Sequence, residues 1–322
     1  MGWSIKIEFN IHIYRDCEKR NDTVSPDIAN RSFLKAMNDE ISKLEGARSL
    51  STISNYRCAL KSFRQFLKKD VLTSDIKPEL LESFERWLRD NNVCQNSISC
   101  YMRSLRSLMS KIYGDYSKML FSKVYTGRAR TEKRAIPESD IARIKALKLK
   151  KGSFMSLARD IFLFSYYALG MPFVDICFLR KSQISYDKLV YERHKTGQKV
   201  IVRLEPCMTE IISRYRQKDS DYVFPLLMKS EPKAAYKQYL SKLACYNKTL
   251  NILADKAGIS HHLTSYTPRH TWASVAYSSN VDLPVISKAL GHSNPQTTLT
   301  YIKEIDDNRL DDANHSIVSR II

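Results

Sequence analysis

From residue 50 onward, apolar residues recur at helical spacing. Tyr56, Ala59, Leu60, Phe63, Phe66 and Leu67 share one face of a helix expected over 50–69. Arg57, Lys61, Arg64 and Lys68 recur at three- and four-residue intervals on another face. Leu80, Leu81, Phe84, Trp87 and Leu88 mark a second amphipathic helix after Pro78. Residues 97–113 make a further one, carrying Arg103 and Arg106. The aromatic side chains in these stripes read as core. Residues 28–117 are accordingly a helical domain. Residues 118–135 lack periodicity and are rich in Lys and Arg, with Glu132 the one acid, which predicts an interdomain linker.

Helical spacing resumes over 138–149, 154–169, 206–217 and 232–257. It is broken by two β-branched or aromatic runs, Leu189–Arg193 and Lys199–Leu204. The residues between them, His194-Lys195-Thr196-Gly197-Gln198, supply turn chemistry, so 188–204 is a hairpin. The expected fold is mainly α with a small β-hairpin or sheet, in two domains. The mixed α/β domain runs over 136–310 and a tail over 311–322. Residues 1–27 are expected as an arm or short strand; residues 1–15 alternate apolar and polar positions with charges among them, so they are neither signal peptide nor membrane span. No run is apolar enough to predict a membrane span.

Charge changes the picture. Lys and Arg number 52 against 34 Asp and Glu in 322 residues, a net charge of +18. Such an excess calls for a polyanionic partner, since neutralising phosphates releases counterions. A basic soluble or ribosome-associated chain would fit the charge alone. The seven cysteines are scattered without metal-ligand spacing and read as reduced thiols of a cytosolic protein.

Two segments carry candidate chemistry. In Thr267-Pro268-Arg269-His270-Thr271, Thr267 reads as a helix cap and Pro268 as the first helical residue. Arg269 then projects from a helix N-terminus, where free N–H groups and the macrodipole favour a phosphate. A surface helix start is the plain alternative. In Leu290-Gly291-His292-Ser293-Asn294-Pro295, Gly291 fits a left-handed helix stop. Pro295 opens the next helix with Ser293 or Asn294 as cap, and Tyr301 lies about two turns in. An arginine fork, an imidazole and a phenol together suit phosphodiester transesterification through tyrosine.

On Arg269-His270-Thr271, Leu290-Gly291-His292 and Thr297-Thr298 with Tyr301, the sequence resembles the tyrosine recombinase (phage integrase) family. The resemblance implies a helical core-binding domain followed by a catalytic domain over roughly 132–310. It implies that Tyr301 attacks DNA to form a 3′-phosphotyrosyl link. Arg269 would be the second catalytic arginine, His292 the late histidine on the scissile phosphate, and Lys195 the hairpin lysine that protonates the leaving 5′-oxygen. Tyr266 stands where the family has a histidine, and its phenol can still donate.

One family residue is missing. The first catalytic arginine belongs in the turn Tyr166-Tyr167-Ala168-Leu169-Gly170-Met171-Pro172. Aligning Gly170 puts Pro172 at its place, and the register similar to Bacteroidetes-type members puts Leu169 there. Arg159 and Arg180 lie outside the turn. Losing one such donor typically costs about 10²–10³ in rate. Either another basic residue (Arg159, Arg180 or Arg193) supplies the charge, or the chain is a sequence-specific DNA-binding protein derived from a recombinase that cuts poorly.

The expected function is site-specific recombination of double-stranded DNA (integration, excision or inversion) with no cofactor, metal or nucleotide. Arg57, Lys61, Arg64, Lys68, Arg103 and Arg106 are the expected phosphate contacts, and the linker would let the two domains close around a duplex. The resemblance further implies a homotetramer on two DNA sites, with Ile317, Val318, Ile321 and Ile322 of the tail docking on a neighbouring protomer. It implies a bacterial cytoplasmic location at the nucleoid. A type IB topoisomerase would share the tyrosine chemistry but relax supercoils as a monomer.

Overall fold

A computed structural model of the chain describes residues 30–129, 134–228, 230–292, 294, 296–299, 315 and 317–319. The chain divides into two compact units at residue 130. The first holds α1 (Phe33–Leu44), α2 (Leu50–Leu67), α3 (Pro78–Asp90), α4 (Gln95–Tyr113) and α5 (Tyr116–Leu120). Ser32 and Ser49 cap α1 and α2 by accepting from backbone N–H groups three residues on. The stripes read from the sequence close on one core. Phe63 sits edge-on to both Phe33 (5.5 Å between centroids) and Phe84 (4.8 Å).

The segment expected as a linker does not begin at 118. Leu120, Phe121 and Val124 are buried in this same core. The backbone N–H of Tyr125 donates to Glu85, and Asn96 bonds Ala129 through both its amide groups. Basic residues hid three apolar anchors; burying them outweighs the charge around them.

The second unit is mainly α around a small sheet, as the pattern implied. Its helices are α6 (Glu138–Ala146), α7 (Phe154–Tyr167), α8 (Phe173–Cys177), α9 (Pro206–Arg214), α10 (Pro232–Lys256), α11 (Thr267–Ser278), α12 (Leu283–Ala289) and α13 (Gln296–Leu299). Ser156, Leu157 and Ala158 of α7, and every residue from Asp160 to Ser165, are buried, so it is covered on nearly every side. It packs against α6, α9, α10 and α11.

Strands β1 (Ile184–Ser185), β2 (Lys188–Glu192) and β3 (Lys199–Arg203) form an antiparallel sheet in that order. Tyr191 pairs with Val200 and Leu189 with Val202; all four are buried, so one face meets the core. β1 is too short to show a period and was not expected. The expected arm over 1–27 lies outside the described residues. So does most of the tail, of which Ile317 and Val318 are 61% and 42% exposed.

Candidate active site

Arg269 is the third residue of α11, which begins one residue earlier than the sequence suggests. Tyr266 occupies the N-cap position, and Thr267 and Pro268 are the first two helical residues. Thr267 instead accepts the backbone N–H of Thr264 (2.9 Å), which fixes the approach to the helix. Arg269 is only 1% exposed, so the surface-helix alternative fails. Its Nη1 donates to the Gly170 carbonyl (2.9 Å), and Nη2 donates to the Leu290 carbonyl and meets His292 Nε2 at 3.1 Å.

Gly170 is required by this approach. It has a φ of +70°, and a Cβ there would lie 2.8 Å from the Arg269 Cα. Leu169, just before it, is also left-handed (φ 59°), which costs a Leu about 1–2 kcal/mol. Pro172 is buried at the N-cap of α8. The turn that lacks the family arginine thus gives the site a carbonyl acceptor.

His292 follows a Schellman stop on α12. Gly291 (φ 61°) donates to Lys288 O and His292 N–H reaches back to Ser287 O, both at 3.0 Å. The ring lies between Arg269 and Thr298, whose Oγ1 is 2.8 Å from Nδ1. A guanidinium can only donate, so Nε2 accepts and the proton sits on Nδ1. Burial, then Arg269, Arg193 and Lys195, push the His292 pKa down to about 4, so the ring is neutral at pH 7. His270, next to Arg269, is likewise held at about 4, by burial and then by Arg134 and Arg269.

The hairpin turn docks on the same corner. Arg193 closes the turn by accepting from Gly197 N (2.8 Å) and donating its own N–H to Gln198 O (2.8 Å). His194 N–H donates to the buried Asp175 Oδ1 (2.9 Å), and Thr196 Oγ1 donates to Gly291 O (3.1 Å). The His194 ring stacks on Phe178, with centroids 5.4 Å apart. These ties fix the turn, while Lys195 at its tip stays exposed.

Of the three arginines that could stand in for the missing one, Arg193 is the one buried at this corner. It is 5% exposed, and its Nη1 donates to the Gly291 carbonyl (2.9 Å). Its Nε is buried without a hydrogen-bond partner among the described residues, as is Asp175 Oδ2. Burial raises the Asp175 pKa despite its bond from His194 and the nearby charges of Arg193, His194 and Arg269. A signal for Arg193 exists in the pattern: Leu189, Tyr191 and Arg193 alternate onto one face, and the first two are core. The other candidate arginines are occupied elsewhere. Arg159 bonds Asp160 and Leu147 O (2.8 and 2.7 Å), and the exposed Arg180 lies over the Tyr222 ring at 5.7 Å.

Tyr266 is 39% exposed, with its ring 6.5 Å from that of His270. Tyr301 lies outside the described residues; α13, with Thr298 fully buried, ends two residues before it. In the first unit, Arg57, Lys61, Arg64 and Lys68 line a groove of about 650 Å³ together with Lys35 and Asp70. Arg57 is paired with Glu45. Arg103 and Arg106 do not line this groove; they bond Ser99 O (3.2 Å) and Thr126 Oγ1 (3.5 Å). Among the described residues no cluster of side chains has the makings of a metal site, and no helix is long and apolar enough to cross a membrane.

Residues 140–307, over half of the chain, match the model of the phage integrase family, and residues 32–114 match the phage integrase SAM-like domain. The chain belongs to the phage integrase family of tyrosine recombinases. Among curated relatives, it is 32% identical to tyrosine recombinase XerA of Thermococcus onnurineus over 150 residues, 45% of this chain and half of that protein. It is 24% identical to a tyrosine recombinase of Pseudothermotoga lettingae over 281 residues, 82% of this chain and 91% of that one. Among solved structures, a lambda integrase tetramer bound to a Holliday junction shares the fold, with a TM-score of 0.65 at 13% identity over 85% of this chain and 78% of that one.

Proposed function

We propose that this recombinase cleaves and rejoins duplex DNA at specific sites through a 3′-phosphotyrosyl link to Tyr301. The observation that carries this reading is the convergence of two buried guanidinium groups on consecutive residues. Arg269 reaches Leu290 O, Arg193 reaches Gly291 O, and His292 comes next in the chain. A pentacoordinate phosphorane needs preorganised donors of this kind. Arg193 takes the role of the absent first arginine, so the vacancy at Leu169 and Pro172 does not empty the site of its second fork. Lys195, exposed beside His292, is the general acid for the leaving 5′-oxygen, and Tyr266 donates to a non-bridging oxygen. The phosphotyrosine conserves the diester's energy, so a 5′-hydroxyl reseals the strand without a nucleotide.

The exposed row on α2, with Arg103 and Arg106, contacts phosphates and positions the duplex without reading its sequence. The lambda integrase tetramer on a Holliday junction supports a tetramer on two sites, with exposed Ile317 and Val318 as part of the contact between protomers. The place of action is the bacterial cytoplasm, at the nucleoid.

Nicked duplexes carrying the DNA that flanks the gene test this directly. The wild-type chain should leave a covalent adduct on a denaturing gel, and Tyr301→Phe should bind the duplex without one. Tight specific binding with no wild-type adduct would mean a binding protein, and an undiminished adduct in Tyr301→Phe would remove Tyr301 as nucleophile.

A further inference from the structure

We infer that Thr298 is the positioning residue that lets His292 change tautomer, turning Nε2 from an acceptor for Arg269 into a donor to a phosphate oxygen. The inference rests on the proposed phosphate-binding role of His292. In the DNA-free geometry the imidazole faces the wrong way electronically. Its Nε2 lone pair accepts from Arg269 (3.1 Å), while its proton points from Nδ1 to Thr298 Oγ1 (2.8 Å). A phosphate oxygen offers only lone pairs, so an Nε2 lone pair would repel it.

Two routes put a proton on Nε2. One is to protonate the ring. Its surroundings oppose this: burial, then the positive charges of Arg269, Arg193 and Lys195, keep the ring neutral near pH 7. The other is tautomer exchange, in which Nδ1 loses a proton, Nε2 gains one, and the net charge stays the same. Nδ1 then becomes an acceptor and needs a donor in place of its former acceptor. A hydroxyl serves both states by rotating about its C–O bond. Thr298 is fully buried, so no solvent takes over that duty. The neighbouring Thr297 is exposed, which distinguishes the two threonines of the pair. Val in place of Thr298 keeps the shape and removes both hydrogen-bonding states, whereas Ser keeps both.

The test uses the full chain with nitrogen-15 in its histidines, the His292 signals being assigned by their loss in His292→Gln. Nitrogen shifts distinguish the Nδ1–H ring, the Nε2–H ring and the imidazolium. The DNA-free wild type should show Nδ1–H. Tyr301→Phe bound to the flanking duplex, uncleaved, should show Nε2–H. Thr298→Ser should reproduce both states and keep adduct formation within about twofold. Thr298→Val should lose the fixed tautomer and form adduct roughly tenfold more slowly, the scale of one lost buried hydrogen bond. Imidazolium in the complex, Nδ1–H retained on DNA, or wild-type signals in Thr298→Val would each overturn the inference. Should Thr298→Val melt well below wild type, Thr298→Ser decides, because failure to switch there is equally fatal. These outcomes are separate from loss of DNA binding or of the Tyr301 adduct, which would overturn the proposed function instead.

Discussion

The buried arginines of the second unit and the basic row on α2 use similar side chains in opposite ways. Arg269 and Arg193 each donate to a backbone carbonyl at 2.9 Å, under a cover that leaves them 1% and 5% exposed. Arg57, Lys61 and Arg64 stand in solvent along one face of α2, which ends at Leu67, with the exposed Lys68 at its C-cap rather than on the helix expected over 50–69. A buried charge is costly to bring out of water and acts strongly on what enters its site. An exposed one is cheap to hold and is screened by salt over about 8–10 Å. The first arrangement suits stabilising charge in a transition state; the second suits gathering a polyanion.

The contrast breaks most visibly at Arg269. Arg269→Ala should lower adduct formation by about 10²–10³ or more, the usual loss for one preorganised donor. It should also lower the melting temperature, because Gly170 O and Leu290 O lose their partner. Arg269→Lys should rescue little, since a point charge cannot span both carbonyls and the His292 ring. Arg193→Ala should cost about 10² in the same assay while leaving duplex affinity nearly unchanged. An Arg193→Ala chain with wild-type single-turnover rates would show that a different cation serves as the second fork.

Lys195 lies between the two regimes: exposed, yet held at the tip of a turn pinned by Asp175 and Gly291. Lys195→Ala should lose about 10²–10⁴ with an ordinary substrate, the range for general acid catalysis. Much of that loss should return with a 5′-thiol leaving group, which needs no proton. If sulfur brings no recovery, Lys195 is a binding contact only.

The fold was mostly legible where a pattern is local and the site where a motif is. The stripes that place Phe63 and Phe84 repeat within single helices, and the hairpin alternates within five residues per strand. β1 and α8 are too short, at 2 and 5 residues, to show a period. The basic run after 118 hides Leu120, Phe121 and Val124, because three apolar positions among so many cations are too few to show a period. Arg193 is not singled out from Arg159 and Arg180 by the sequence, for a deeper reason. Its partner Gly291 is 98 positions away, so its role exists only once the turn has docked. Arg269 was found early because its helix start is itself a local signature, although its actual partner, Gly170 O, is 99 positions away.

Acid should separate the two regions as well. His270 and His292 have pKa values near 4 in the folded chain against an ordinary value of 6.5. The unfolded chain therefore takes up protons first as pH falls. Their contribution to stability is complete above about pH 6.5 and is lost progressively towards pH 4. The melting temperature should fall over that window, and less steeply in His270→Gln. Among the described residues of the first unit there is no histidine, so helix signal from α1–α5 should outlast that of the second unit. Coincident loss of both would mean that carboxylates dominate the acid response.

The smallest effect belongs to single members of the exposed row. Lys61→Ala or Arg64→Ala should leave the cleavage rate of bound DNA unchanged, since neither touches the reacting phosphate in this reading. Each should instead weaken binding alike for specific and unrelated duplexes. The salt dependence carries the sharper signature: log affinity against log salt should flatten by roughly 0.9 per phosphate contact removed. Arg57→Ala should flatten it less, because Glu45 already neutralises that guanidinium in the free protein. Binding measured at several salt concentrations checks the order. A row acting as phosphate contacts gives equal slope changes for Lys61 and Arg64 and a smaller one for Arg57. A slope that stays at its wild-type value for all three would assign α2 to a solvated face and move the DNA contacts elsewhere on the chain.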